Sequence, residues 1–129
     1  MRKAVRYFSR HGHTKKIAEA IAEGAGVQAI SIEDEPELKE EVEILFLGGS
    51  PYANIMDRRL RTYAQNLNPD LVERVILFTT SNRSRLTVIA LRKILTDKEI
   101  KVDPDYFYAH LNYISECLED ARKLGAKHH

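Results

Sequence analysis

Three stretches of the sequence gather residues that could hold an anion and a planar ring. The first is Ser9-Arg10-His11-Gly12-His13-Thr14, between a short apolar run and an amphipathic one. A helix start offers unpaired amide N–H groups and the positive end of a dipole, so such a turn suits a phosphate. Gly12 permits positive φ and close approach by a ligand. Ser9 and Thr14 offer hydroxyl donors, and Arg10 and His13 offer charge or donors. Taken alone, Ser-x-x-Gly-x-Thr equally describes an ordinary capped helix with Thr14 or Ser9 as the cap. The second stretch is Gly48-Gly49-Ser50-Pro51-Tyr52-Ala53-Asn54-Ile55-Met56-Asp57. Its glycines let backbone come close to a planar ligand, and Tyr52 either stacks on a ring or packs as an ordinary tyrosine. The third, Thr79-Thr80-Ser81-Asn82-Arg83-Ser84-Arg85, offers donors and acceptors, or is a helix entry capped by Ser84.

The elements that would position these stretches follow from hydrophobic periodicity. Short apolar runs contain Val5, Tyr7 and Phe8 (ending at Ser9), Val27 to Ser31, Val42 to Leu47 (stopped by Gly48-Gly49) and Val75 to Phe78 (stopped by Thr79-Thr80). A weaker fifth run begins at Ile100 and Val102, bulges at Pro104 and resumes at Tyr106-Phe107-Tyr108. The third and fourth runs are nearly continuous, the pattern of strands covered on both faces. Between the runs the period changes to that of a helix. Ile17, Ala20, Ile21 and Gly24 form one stripe. Leu60, Tyr63, Ala64 and Leu67 form another, with Asp57 as N-cap. Val88, Leu91 and Leu95 form a third, and Ile114, Cys117, Leu118 and Ala121 a fourth, closed by Gly125. Residues 37–41 make at best a short helix. Strand-helix alternation implies parallel strands with right-handed crossovers, hence a three-layer α/β sandwich with an open, doubly wound sheet. In such a sheet ligands bind beyond the carboxyl ends of the strands, where all three stretches fall.

Composition bounds the remainder. The chain has 129 residues, 43% hydrophobic and 30% charged. That length favours a single domain over 1–129 with a core large enough to need no disulfide or structural metal. Lys plus Arg number 20 against 19 Asp plus Glu, a net +1, which argues against a nucleic-acid binder. No run of 18 apolar residues is present, so no membrane span is expected, and Arg6 interrupts any secretory apolar region. A cytoplasmic protein is the expectation. The single Cys117 excludes an intrachain disulfide and falls on an apolar helical stripe. His110 precedes the last helix and reads as a loop or cap residue, with no metal-ligand spacing around it. His128-His129 is left out of account.

The three stretches together resemble the flavodoxin family. Tyr7-Phe8-Ser9-Arg10-His11-Gly12-His13-Thr14, followed by Ile17-Ala18, is similar to that family's phosphate-loop pattern Tyr-Phe/Tyr-Ser-x-Thr/Ser-Gly-Asn/His-Thr-x-x-Ile-Ala. Leu47-Gly48-Gly49-Ser50-Pro51-Tyr52 is similar to its buried strand and following loop, and Phe78-Thr79-Thr80-Ser81 to its fourth strand and loop. The resemblance implies a five-stranded parallel sheet of order 2-1-3-4-5 and FMN as cofactor. It implies that Ser9, Arg10, His11, Gly12, His13 and Thr14 wrap the phosphate. Ser50, Pro51, Tyr52, Ala53 and Asn54 would cover a face or edge of the isoalloxazine, with Tyr52 stacking. Thr80, Ser81, Asn82 and Arg83 would contact its pyrimidine edge. The implied role is electron transfer with a redox partner protein, a reductase or an acceptor, with no residue needing to be catalytic. His11 stands where the family carries Ser or Thr, and +1 differs from the acidic charge of its electron carriers.

Two other functions are compatible with these residues. One is an NAD(P)H-dependent FMN or quinone reductase. The other is a flavodoxin-shaped module that binds no flavin and serves in protein contacts. A receiver domain is disfavoured because Gly48-Gly49 ends the third strand instead of an Asp. A Walker loop, a GxGxxG fingerprint and a Cys-x5-Arg loop are absent. The acidic stretch Glu33 to Glu43 reads as a solvated helix and turn, or less readily as a dock for a basic partner. Arg58, Arg59 and Arg61 read as a wet face, or as a lure for an acidic partner or nucleotide phosphates. Arg83 or Arg85 beside the ring would favour reduced flavin. Arg6, inside the first strand, reads as a strand end near solvent.

Overall fold

A computed structural model describes residues 2–52 and 55–127; Met1, Ala53, Asn54, His128 and His129 lie outside the described residues. The elements run β1 (Lys3–Tyr7), α1 (His13–Ala25), β2 (Ala29–Ser31), β3 (Val42–Gly49), β4 (Pro51–Tyr52), β5 (Ile55–Met56), α2 (Arg58–Asn66), β6 (Val72–Ser81), α3 (Leu86–Asp97), β7 (Val102–His110) and α4 (Ile114–Lys127). Five strands form a parallel sheet of order β2-β1-β3-β6-β7, and β4 pairs with β5 as a small antiparallel ribbon. Apart from that ribbon, the order is the expected 2-1-3-4-5. No helix among the described residues is long and apolar enough to cross a membrane.

The sheet is covered on both faces, which explains the continuous apolar runs. Along β3, Leu45 and Leu47 face the side closed by Leu60, Tyr63, Val88 and Leu91 of α2 and α3. Ile44 and Phe46 face the side closed by Ile17, Ile21 and Ala121 of α1 and α4. Strand order reverses at β1, with β2 on one side and β3 on the other. The crevice beyond their carboxyl ends is thus the expected ligand position.

Several boundaries differ from the sequence reading, each for a hydrogen-bonding reason. β2 begins at Ala29, not Val27, because the Val27 N–H closes the C-terminus of α1 on the Ala22 carbonyl at 3.0 Å. Gly48-Gly49 and Thr79-Thr80 do not stop their strands. They pair within the sheet, Gly49 with Thr79 and Thr80 with Ala109. No helix forms over residues 37–41. The register of β6 against β7 shifts between Val75 and Leu77, where the Pro104 bulge was expected.

Gly125 does not end α4, which continues to Lys127. It serves packing instead. A Cβ at Gly125 would lie 1.9 Å from the Ile21 carbonyl oxygen, and one at Gly24 would lie 1.9 Å from that of Arg122. Helices α1 and α4 therefore touch backbone to backbone. Lys3 adds a tie from β1, its Nζ donating to the Gly125 carbonyl at 2.8 Å.

Arg6 is not near solvent. It is 4% exposed, and its Nη2 lies 3.6 Å from Glu35 and 3.7 Å from Glu40. The acidic stretch thus supplies counter-charges to a guanidinium buried in β1, in place of the expected solvated helix. Arg6 Nε and the neighbouring Tyr63 hydroxyl have no hydrogen-bond partner among the described residues.

Gly125→Ala is expected to lower stability by about 3 kcal/mol, since the clash is with rigid backbone, as urea unfolding would read. Tyr63 generates a pH dependence. Burial pushes its hydroxyl up to about 12, with Arg6 pulling down and Glu35 adding to the rise. The folded state keeps this proton where the unfolded chain releases it. The associated stability is complete below about pH 10 and is lost as pH rises through about 12, about 2–3 kcal/mol in all. Tyr63→Phe should abolish that loss and cost under about 1 kcal/mol at neutral pH, because no partner is orphaned. Equal alkaline losses for the two proteins would contradict this assignment.

Candidate functional site

The three chemically suggestive loops meet beyond the carboxyl ends of β1, β3 and β6. They enclose a cleft of about 320 Å³, within the range of small-ligand sites. Ser9, His11, His13 and Thr14 line it from the first loop; Ser50, Pro51 and Tyr52 from the second; Thr80, Ser81, Asn82 and Ser84 from the third. Leu111, after β7, completes the wall. No carboxylate lines the cleft among the described residues.

The first loop ends on Gly12, which adopts φ 92° as the N-cap of α1. That conformation lets the chain turn back over the helix start without a side chain in the way. Ser9 Oγ accepts the Gly12 N–H at 3.0 Å and so shapes the turn, while the helix itself has no side-chain cap. Neither Ser9 nor Thr14 plays the capping role that a plain helix entry would need. With no acidic residue in its first turn, the positive end of α1 has no local compensation. Thr14 lies inside the helix and is buried. Its hydroxyl is 2.8 Å from Ser50 Oγ and 2.8 Å from Thr80 Oγ1, and the latter two also bond to each other. One hydroxyl from each loop thus meets at the cleft floor.

Tyr52 forms a partition. The Arg10 guanidinium lies 4.2 Å from its ring centroid, and its hydroxyl accepts the Arg10 backbone N–H at 2.8 Å. Arg10 does not line the cleft but a hollow it shares with Tyr52, Met56 and Asp57. One side of Tyr52 is therefore available to a ligand while the other carries a cation. Tyr52 also makes T-shaped contacts with His11 and Phe8, at centroid distances of 5.8 and 6.5 Å. Burial raises the Tyr52 hydroxyl above its ordinary range, against the pull of the Arg10 N–H and charge. Asp57 anchors this corner. It caps α2 through the Arg59 N–H at 2.8 Å and pairs with Arg10 at 3.3 Å and with Arg59 at 3.4 Å.

The third loop is clasped by β7. Arg83 adopts φ 77°, and its N–H donates to the Tyr108 hydroxyl at 2.7 Å, which donates onward to the Ser81 carbonyl at 2.9 Å. Arg85 lies 3.6 Å above the Tyr108 ring. His110 Nδ1 accepts the Asn112 N–H at 3.0 Å, so the neutral ring donates from Nε2 to Asn82 Oδ1 at 2.8 Å. His110 is thus both the expected cap residue and a support for the loop.

Ten of the residues singled out in the sequence line one cleft. Three do not. Gly12 builds the turn, Arg10 stands behind Tyr52, and Arg83 lies outside the wall with its backbone tied to Tyr108. Ala53 and Asn54 lie outside the described residues. Ser84 belongs to the third stretch; Tyr108 and Leu111 were not foreseen as site residues, because only the sheet register brings β7 beside the loop after β6. The donor set fits a phosphate monoester at the start of α1, and the space beside Tyr52 fits a planar ring. Among the described residues no group of three His, Cys, Asp or Glu could hold a metal ion.

A family model described as a flavodoxin domain matches residues 4–101. A flavodoxin from the domain Archaea superposes with a TM-score of 0.84 at 22% identity, covering 98% of this chain and 95% of its own. A WrbA-like flavodoxin from Agrobacterium tumefaciens superposes with a TM-score of 0.76 at 20% identity, covering 98% and 94%. The flavodiiron protein from Giardia intestinalis gives 0.78 at 19% identity over 97% of this chain but 34% of its own. No curated protein sequence matches the chain significantly.

Asp57→Ala removes a helix cap and frees two arginines together. It should cost about 2–3 kcal/mol, more than the roughly 1 kcal/mol of a cap alone. Thermal unfolding beside Asp57→Asn, which keeps an acceptor for the cap, separates the two contributions.

Proposed function

The chain belongs to the flavodoxin family, and from that premise we propose that it is a single-domain, FMN-binding electron-transfer protein. The flavin would sit at the carboxyl ends of β1, β3 and β6. The observation that carries this reading is the composition of the cleft. Hydroxyls, imidazoles and an uncompensated helix start line it together with a tyrosine ring, and no carboxylate lines it among the described residues.

In this reading, Ser9, Gly12, His13 and Thr14 hold the phosphate at the start of α1. His11 closes over it, and Arg10 adds positive charge from behind Tyr52. The phosphate's charge offsets the helix dipole. The buried Thr14 hydroxyl can turn from its Ser50 and Thr80 partners toward the anion, and those two remain bonded to each other. Ser50, Pro51 and Tyr52 cover the ring. Thr80, Ser81 and Asn82 face its pyrimidine edge, and Arg83, outside the wall, does not. When bound, the flavin supplies the redox chemistry and the protein sets its affinity, orientation and potential. A cation behind Tyr52 withdraws electron density from the phenol ring. That lowers the repulsion between this ring and an electron-rich partner stacked on its free side. Arg85, held on Tyr108, contributes positive charge from beside the third loop. Both arginines thus favour reduced flavin, the role expected in sequence of Arg83 or Arg85.

The test separates phosphate recognition from ring recognition. FMN should saturate the chain at micromolar concentration with quenching of its fluorescence, and riboflavin should bind at least about 100-fold more weakly, a loss of about 2.7 kcal/mol. Thr14→Val should weaken FMN about tenfold and leave riboflavin unchanged. A chain that FMN cannot saturate, or that holds riboflavin equally well, would remove the basis of the assignment.

A further inference from the structure

The arginines of the chain are unevenly placed. Six of its eleven, Arg10, Arg58, Arg59, Arg61, Arg83 and Arg85, lie on the loops after β1 and β6 or in the opening turns of α2, although the net charge is only +1. Three are already engaged. Arg10 pairs with Asp57, Arg59 with Asp57 and Glu33, and Arg85 stacks on Tyr108. Arg58, Arg61 and Arg83 are exposed and have no carboxylate partner among the described residues.

The same face carries unusual apolar exposure. Ile55 is 65%, Leu86 39% and Ile89 66% exposed, in a chain whose other large aliphatic side chains are mostly buried. β5, which bears Ile55, packs against α3, which opens with Leu86 and Ile89. An exposed apolar strip flanked by arginines has the composition of a protein interface. The unpaired arginines come from two elements on either side of the strip. That spacing suits a broad carboxylate-bearing surface better than a single phosphate, and guanidinium forks match carboxylates in geometry.

We propose that this face docks an acidic redox protein, with Ile55, Leu86 and Ile89 at the centre and Arg58, Arg61 and Arg83 meeting carboxylates at the rim. The assignment rests on the flavin reading in one respect, that electrons leave through the mouth of the cleft this face surrounds.

The test uses the full chain, with and without added FMN, and two probes: an acidic [2Fe–2S] ferredoxin and basic cytochrome c. Calorimetric titration should show ferredoxin binding at low salt, weakened about tenfold or more at physiological salt, and at least tenfold tighter than cytochrome c. The double variant Arg58→Glu, Arg61→Glu should lose tenfold or more in ferredoxin affinity. Its fold should be unharmed, since glutamate at the start of α2 suits the helix dipole, and FMN affinity should stay within about twofold. Ile89→Ser should weaken ferredoxin binding without altering its salt dependence. Equal binding of the two probes, or undiminished binding by the double variant, overturns the proposal. So does NADPH binding that the double variant loses while ferredoxin does not bind. The two readings fail separately. A chain that binds ferredoxin in this way but takes up no FMN defeats the cofactor assignment and keeps the docking face; FMN uptake without arginine-dependent docking does the reverse.

Discussion

Three buried hydroxyls, Thr14, Ser50 and Thr80, hold the carboxyl end of the sheet in one shape. They come from the first turn of α1, the residue after β3 and the penultimate position of β6, segments that share no local sequence. Each hydroxyl has one proton to give, and burial makes an unpaired one costly. The three loops must therefore stay close enough for the groups to serve one another. The cleft, the stance of Tyr52 beside it and the exit of α1 all follow from that requirement. Three apolar residues could hold the loops at the same distance, but they would offer nothing to an anion.

A second constraint lies beneath Tyr63. Arg6 in β1 is almost fully buried, and among the described residues its charge is met by Glu35 and Glu40 from the segment after β2. This fixes a stretch that forms neither helix nor strand, at a cost visible in the Arg6 Nε and Tyr63 hydroxyl, which have no hydrogen-bond partner among the described residues. Glu33 of the same segment reaches Arg59, which lies over Phe8. A continuous chain of charge and ring contacts thus runs from the edge of the sheet to the hairpin that carries Tyr52.

Much of the architecture could be read from the residues because its causes are local. The continuous runs at Val42 to Leu47 and Val75 to Phe78 require cover on both faces, and the helical stripes supply it. Asp57 was legible as a cap because an acidic side chain before a periodic stripe has a direct partner in the next turn's N–H. Other features were not legible because they depend on what lies across the fold. Gly125 looks like a helix stop until Ile21 is known to face it. Thr79-Thr80 looks like a strand end until β7 pairs with it. Arg6 looks misplaced until Glu35 and Glu40 return to it, and nothing in the spacing from 6 to 40 announces that contact. At the site, the loops flanked by apolar runs stood out. The stacked arginines and the β7 wall did not, because cation–ring contacts carry no periodic signal.

The clasp between β7 and the loop after β6 has a further consequence. Tyr108, His110 and Leu111 stand beyond residue 101, where the match to the family model ends. The three cleft-lining loops thus lie in the shared part of the chain, while the strand that steadies the third of them comes from its last third. An edge strand is ordinarily the easiest part of a sheet to vary. Here its drift would be felt at the mouth of the cleft through Asn82 and Arg83. Members of this fold with the same three motifs could therefore diverge in ligand affinity or potential through changes at an edge that touches no ligand.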